Sequence, residues 1–149
     1  MAGTMSEIDL RPCRPADVDA VLALWQRAEA VPRPTDRPDA LLRRLERDPD
    51  LFILAWDGDR LVGSLMGGWD GWRGQMYRLA VDPDYRRRGL ARRLVEAVEA
   101  RLRALGAERV TSLVFVHEPG AASFWHRAGY RPDPATARYA KDLASSAGE

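Results

Sequence analysis

The chain has 149 residues, of which 46% are hydrophobic and 30% charged, and its net charge is +1. That is one globular domain's worth of polypeptide, without the global cationic field that nucleic acid selects and without an apolar run near the ~20 residues that span a bilayer. Cys13 is the only cysteine, and His117 and His126 are the only histidines, which excludes an internal disulfide and argues against a structural zinc site. The opening MAGTMSEIDL has no basic stretch followed by an apolar one, so no secretory signal is expected and the cytoplasm is the default compartment. Lys141 is the only lysine and every other cation is arginine, a compositional bias in an alanine-rich chain.

Residues 8–13 read as a short first strand. Pro15 suits the first turn of a helix, where its missing N–H costs nothing. Val18, Val21, Leu22, Trp25 and Ala28 then recur at three- and four-residue steps and give that helix one apolar face. Prolines within 31–38 break it, a second helix carries Leu41, Leu42 and Leu45, and Asp48-Pro49 stops that one. Leu51 to Trp56, the turn Asp57-Gly58-Asp59 and Leu61 to Met66 read as a hairpin. After a glycine-rich turn, residues 75–81 form a further strand with Tyr77, Leu79 and Val81 on one face. Leu90, Leu94, Val98, Leu102 and Leu105 mark the longest helix, closed by Gly106 as a left-handed cap. A buried strand over 110–116, a helix over 119–128, a last strand over 138–143 and a disordered tail over 144–149 complete the order β-α-α-β-β-β-α-β-α-β.

The chemistry sits between Val81 and Arg93, in V-D-P-D-Y-R-R-R-G-L-A-R-R. A strand ends, a tight turn follows, and a long helix opens with glycine in its first turn. Such a helix start presents about four unpaired N–H groups and the positive end of its dipole, which attract phosphate. Gly89 and Ala91 lack bulk and let a pyrophosphate approach the backbone, while Arg86, Arg87, Arg88, Arg92 and Arg93 add positive charge. Alone, R-R-R-G also fits a solvated helix start or a contact to a nucleic-acid backbone. There is no G-x-x-x-x-G-K-[ST] and no G-x-G-x-x-G, which removes the P-loop and the dinucleotide fingerprint.

In context, Arg86-Arg87-Arg88-Gly89-Leu90-Ala91 resembles the [RQ]-x-x-G-x-[GA] signature of the GNAT superfamily, the acetyl-CoA-dependent N-acetyltransferases. R-P-C-R-P-A-D-V-D-A-V resembles that family's first strand and helix, and A-A-S-F-W-H-R-A-G-Y-R-P its last helix. The likeness runs from about residue 8 to 143, and M-G-G-W-D-G-W-R-G further resembles small bacterial members. The resemblance implies a single N-acetyltransferase domain over residues 1–149, an α/β fold with a central mixed, mostly antiparallel sheet flanked by helices. It implies acetyl-CoA as co-substrate and no metal, with the pyrophosphate on backbone N–H groups from Arg87 through Gly89, Leu90 and Ala91 to Arg92. The pantetheine arm would lie along Leu79, Ala80 and Val81, and a backbone N–H near Val81 would stabilise the oxyanion. The implied reaction is direct attack by an amine in a ternary complex, the amine belonging to a small molecule or a peptide N-terminus. Homodimers through sheet edges or helices are common in the family, and no membrane partner is implied.

The chain departs from the family where acid and base are concerned. Trp125 stands where many members carry a tyrosine that protonates the CoA thiolate; it is counted with the cofactor contacts, since indole cannot supply that proton. Tyr130 and Tyr77 are substitutes, each equally a packed aromatic. The thiolate, of pKa ~8.5, leaves near pH 7 at a penalty of only ~2 kcal/mol, so the acid is dispensable. Leu113 occupies a position where related ribosomal-protein acetyltransferases place glutamate, and Glu118, where many members have asparagine, is either a base or a helix cap. Neutralising a lysine-like amine at pH 7 costs ~4.6 kcal/mol against ~1.2 for an α-amino group, which favours an acceptor of low pKa or a water-relayed base. Ser123 and His126 lack a third triad member, Cys13 reads as a buried thiol, Trp56, Trp69, Trp72 and Trp125 are candidates for acceptor-pocket walls, and Asp70 is a turn residue by default that could also meet a cationic acceptor. The rival readings are a CoA-binding regulator without catalysis and an arginine-rich nucleic-acid module; aromatics do not interleave with the arginines, which disfavours the second.

Overall fold

The computed structural model describes residues 7–143. They form two compact units divided between Leu113 and Val114. The first unit is built on a five-stranded sheet in sequential order, β1 (Asp9–Pro12), β2 (Phe52–Asp57), β3 (Arg60–Trp69), β4 (Gly74–Val81) and β5 (Val110–Ser112). Neighbours are antiparallel except β4 and β5, which pair in parallel. Three helices accompany it, α1 (Val18–Arg27), α2 (Pro38–Arg47) and α3 (Leu90–Leu105), and the second unit carries α4 (Ala121–Arg127). The expected mixed α/β architecture is therefore found. No helix among the described residues is long and apolar enough to cross a membrane.

The two faces of the sheet are separated by the strand's two-residue alternation. On one face Ser64 accepts the Trp25 indole N–H at 2.9 Å, and α1 and α2 bury Val21, Leu24, Leu41 and Leu45 against Phe52, Leu54 and Ala80. On the other, α3 lies directly on a glycine stripe: a Cβ on Gly63 would meet Leu94 at 3.1 Å, one on Gly74 would meet Leu102 at 3.0 Å, and one on Gly67 would come to 2.7 Å from Val98 Cγ1. Val98 is β-branched and fully buried, so it has no rotamer into which to retreat. Gly67→Ala is accordingly expected to destabilise the fold by about 1–3 kcal/mol, read as a fall in Tm on thermal unfolding. A Tm unchanged within a degree would show that α3 does not seat this closely.

Three expectations are corrected. The strand foreseen over 110–116 stops at Ser112, because its ladder reaches only from Gly74↔Val110 to Met76↔Ser112; Val116, expected to be buried, is 85% exposed. Residues 138–143 have no strand, and exposed Tyr139 and Leu143 bury nothing that would stabilise one. Tyr77 does not share a face with Leu79 and Val81. Met66 pairs with Tyr77 and Ser64 with Ala80, so two β4 residues, Arg78 and Leu79, oppose Leu65 in a bulge that turns Tyr77 to the α1 face. The tail over 144–149 lies outside the described residues.

Candidate functional site

Beyond Met76, β4 loses its partner on the β5 side. Asp82 N–H donates to the Val62 carbonyl at 2.8 Å on the β3 side, so the alternation of an antiparallel ladder turns the N–H and carbonyl of Val81 to the opposite, open edge. The Val81 carbonyl confirms this direction by accepting Arg86 Nε at 3.2 Å. Past the last β5 pair, Met76↔Ser112, the edge of β4 along Leu79, Ala80 and Val81 is without a strand partner, a slot in the sheet.

At its other end the slot leads into the turn before α3. Asp82 is the keystone of that turn: its side chain is 2% exposed and accepts the Asp84 N–H at 2.9 Å, Arg60 Nη2 at 3.0 Å and Arg27 Nε at 3.3 Å. Burial raises the pKa of this carboxyl, but the Asp84 N–H and the two guanidiniums outweigh it and hold it below the usual carboxylate value. Tyr85 is buried beside it and donates its hydroxyl to Asp57 at 2.5 Å, with the guanidiniums of Arg60 and Arg88 over its ring at 5.4 and 5.0 Å. The turn therefore reaches α3 on fixed supports.

Gly89 is the N-cap of α3, with φ 81 and open space where a side chain would begin. No side chain caps the helix, and no acidic residue stands in its first turn. The first intrahelical bond is Arg93 N–H to the Gly89 carbonyl at 3.1 Å, so the N–H groups of Leu90, Ala91 and Arg92 stand in the first turn, ahead of the helix's own bonding ladder. Arg87 precedes the cap at φ 63, also left-handed. The sequence places five arginines here as phosphate ligands, and the structure divides their work. Arg86 staples the end of β4 to α1, donating to the carbonyls of Val81 and Ala28, and Arg93 donates to the Ile8 carbonyl at 3.1 Å. Arg92 pairs with Glu96 on the helix surface. Arg87, Arg88 and Arg92 are exposed around the helix start.

Glu118, Trp125 and Tyr130 belong to the second unit. There Trp125 is buried between Phe124 and Tyr130, in edge contacts of 5.3 and 5.0 Å. Glu118 does not cap α4 by its side chain: Gly120 is the N-cap, and the Glu118 carbonyl accepts the Ala121 N–H at 3.3 Å. Leu113 is exposed at the end of the first unit. Ser123 accepts Arg127 Nη1 at 2.6 Å. Asp70 holds the β3–β4 turn, accepting the N–H groups of Trp72 and Arg73, with Trp72 exposed at its tip. Burial, with the Asp17 charge adding to it, pushes the Cys13 thiol up to about 12, which removes it as an acetyl-carrying nucleophile. No group of three or more His, Cys, Asp or Glu among the described residues could hold a metal ion. Sequence reasoning missed Arg27, Arg60 and the burial of Asp82, because an Asp before proline signals only a turn.

The sequence pattern of the Acetyltransferase (GNAT) family matches residues 18–130. Acetyltransferase SG1711 of Sodalis glossinidius is 37% identical over 124 residues, 83% of this chain and 87% of that protein. Among solved structures, Ard1 from Thermoplasma volcanium superposes with a TM-score of 0.74 at 20% identity, covering 83% of this chain and 82% of that one. The PaiA N-acetyltransferase from Thermoplasma acidophilum, solved in complex with coenzyme A, does so with a TM-score of 0.74 at 16% identity, over 85% and 91% of the two chains.

Proposed function

The chain belongs to the GNAT acetyltransferase family, and from that premise we propose that it transfers an acetyl group from acetyl-CoA to an amine by direct attack in a ternary complex. The observation that carries this is the edge of β4 from Leu79 to Val81, past the end of β5, running into the N-terminus of α3, whose N-cap is a glycine. The helix start takes the pyrophosphate on the N–H groups of Leu90, Ala91 and Arg92, with Arg87 and Arg88 adding charge. The pantetheine arm returns along Val81, Ala80 and Leu79 as a pseudo-strand. At the far end of that arm the donor to the thioester oxygen is the Leu79 N–H rather than that of Val81: the carbonyl of the same peptide, Arg78's, is turned to Ser64 on the β3 side, so the N–H faces the edge along which the arm lies as charge develops. The neutral amine attacks the thioester carbon, its surplus proton passes to water, the C–S bond of the tetrahedral intermediate breaks as the amide forms, and CoA leaves as the thiolate without needing a strong acid.

Neither Leu113 nor Glu118 is placed as a base within the first unit, which favours an acceptor of low pKa or a water-relayed base, and an α-amino group is the class we favour. Thiol release from acetyl-CoA, followed from pH 6 to 10, tests this. With an α-amino peptide, kcat/KM rises about tenfold per pH unit and levels near pH ~8, the α-amino pKa. Faster turnover of lysine-like amines, with a slope of one up to about pH 10, counts against the α-amino class. The tryptophan at 125 and the leucine at 113 favour a second reading, a CoA-binding regulator; binding without amine-dependent thiol release separates it from the enzyme.

A further inference from the structure

Arg78 lies within β4 at φ 59, a left-handed conformation that is unfavourable for a non-glycine residue. A glycine would relieve that cost, so what the side chain reaches is informative. Arg78 Nε donates to Asp36 Oδ1 at 3.1 Å, Nη2 donates to Asp36 Oδ2, and Nη1 donates to the Val31 carbonyl at 2.7 Å. The guanidinium lies over the Trp25 ring at 5.0 Å, and the Arg78 and Asp36 side chains are only 11% and 19% exposed. The Arg78 carbonyl accepts the Ser64 hydroxyl at 3.3 Å, and Ser64 in turn holds the Trp25 indole. The bulge thus grips the segment between α1 and α2 at both ends, Val31 and Asp36.

Position along β4 gives this grip a use. With phosphate at the start of α3 and the arm running back along Val81 to Leu79, the thioester end arrives at the bulge, and β5 closes the slot at Met76. An amine reaching the thioester on the α1 face meets the wall made by residues 31–36. We propose that Arg78, acting through Asp36, is a positioning residue that fixes this segment as the acceptor wall, an inference that rests on the acetyl-CoA reading above.

The test compares wild type with Arg78→Gln, Arg78→Lys and Asp36→Asn, using thiol release with the best amine of a peptide and small-amine panel and calorimetric titration of acetyl-CoA. Arg78→Gln and Asp36→Asn should each raise the amine KM about tenfold, leaving kcat and the acetyl-CoA Kd within about threefold, a split that general loosening would not produce. Arg78→Lys, with the charge but not the planar fork, should recover part of the loss. Asp36→Asn lies off the strand and serves if Arg78→Gln fails to fold. An unchanged amine KM in Asp36→Asn, or a loss of acetyl-CoA binding equal to the loss in KM, overturns the positioning role while acetyl-CoA binding by wild type stands. A wild type that turns over no amine overturns the reading beneath it instead.

Discussion

Replacing Gly89 with valine is expected to weaken acetyl-CoA binding about a hundredfold, ~2.7 kcal/mol, while the fold survives. Two effects separate here. The first is strain: a side chain at φ 81 costs roughly 1–2 kcal/mol, which for a chain of this size lowers Tm by several degrees at ~2–4 °C per kcal/mol. The second is bulk. The Cβ would enter open space, so nothing in the fold is displaced, but that space lies at the N-cap of α3, where the proposal seats the pyrophosphate. Gly89→Ala carries strain with little bulk, and it should lose comparable Tm with a much smaller loss of affinity. Calorimetric titration beside thermal unfolding measures both. A Gly89→Val chain that binds within threefold of wild type would remove the helix start from the cofactor site.

Asp82→Ala should be the most damaging change to the turn. It leaves Arg27 with the Leu61 carbonyl and Arg60 with exposed Asp84, and takes the acceptor from the Asp84 N–H. Buried ion pairs broken on one side cost about 3–5 kcal/mol, but Arg27 and Arg60 are 42% and 50% exposed and water will take up part of their charge, so about 2–3 kcal/mol is expected. Acetyl-CoA affinity should fall as well, because the turn that sets Arg87 and Gly89 loses its support. The pH dependence has a definite sign. The Asp82 carboxyl is held below its unfolded value of ~3.9, so its contribution is complete above that pH and disappears as pH falls through the lower, folded value. The stability gap between wild type and Asp82→Asn in urea should therefore be constant from pH 6 to 8 and narrow below pH ~4. A gap that stayed the same at low pH would mean that Asp82 is not a charged partner in the fold.

How far the sequence carried these conclusions varied by element. The stripe from Leu90 to Leu102 and the glycine at 106 delimited α3 as it stands, because helix periodicity and a left-handed cap are local signals. The glycine that starts α3 at position 89 was legible for the same reason. The bulge at Arg78 was not, since nothing in an arginine announces positive φ, and its partner Asp36 lies 42 residues away. Arg86 and Arg93 looked like ligands because clustered charge is visible in sequence, whereas the carbonyls they hold at Val81, Ala28 and Ile8 are set only by tertiary packing. The strand over 110–116 was overextended because an apolar run signals a strand but not how far its ladder partner continues.

The central claim is amine-dependent acetyl transfer from acetyl-CoA bound between the open edge of β4 and the start of α3. Its most direct test is thiol release from acetyl-CoA with and without a mixed panel of peptide N-termini and small amines, run on wild type and Gly89→Val together. Release that depends on an added amine and falls about a hundredfold in Gly89→Val at sub-saturating acetyl-CoA is the expected result. No release from wild type, with no calorimetric binding of acetyl-CoA, would contradict it.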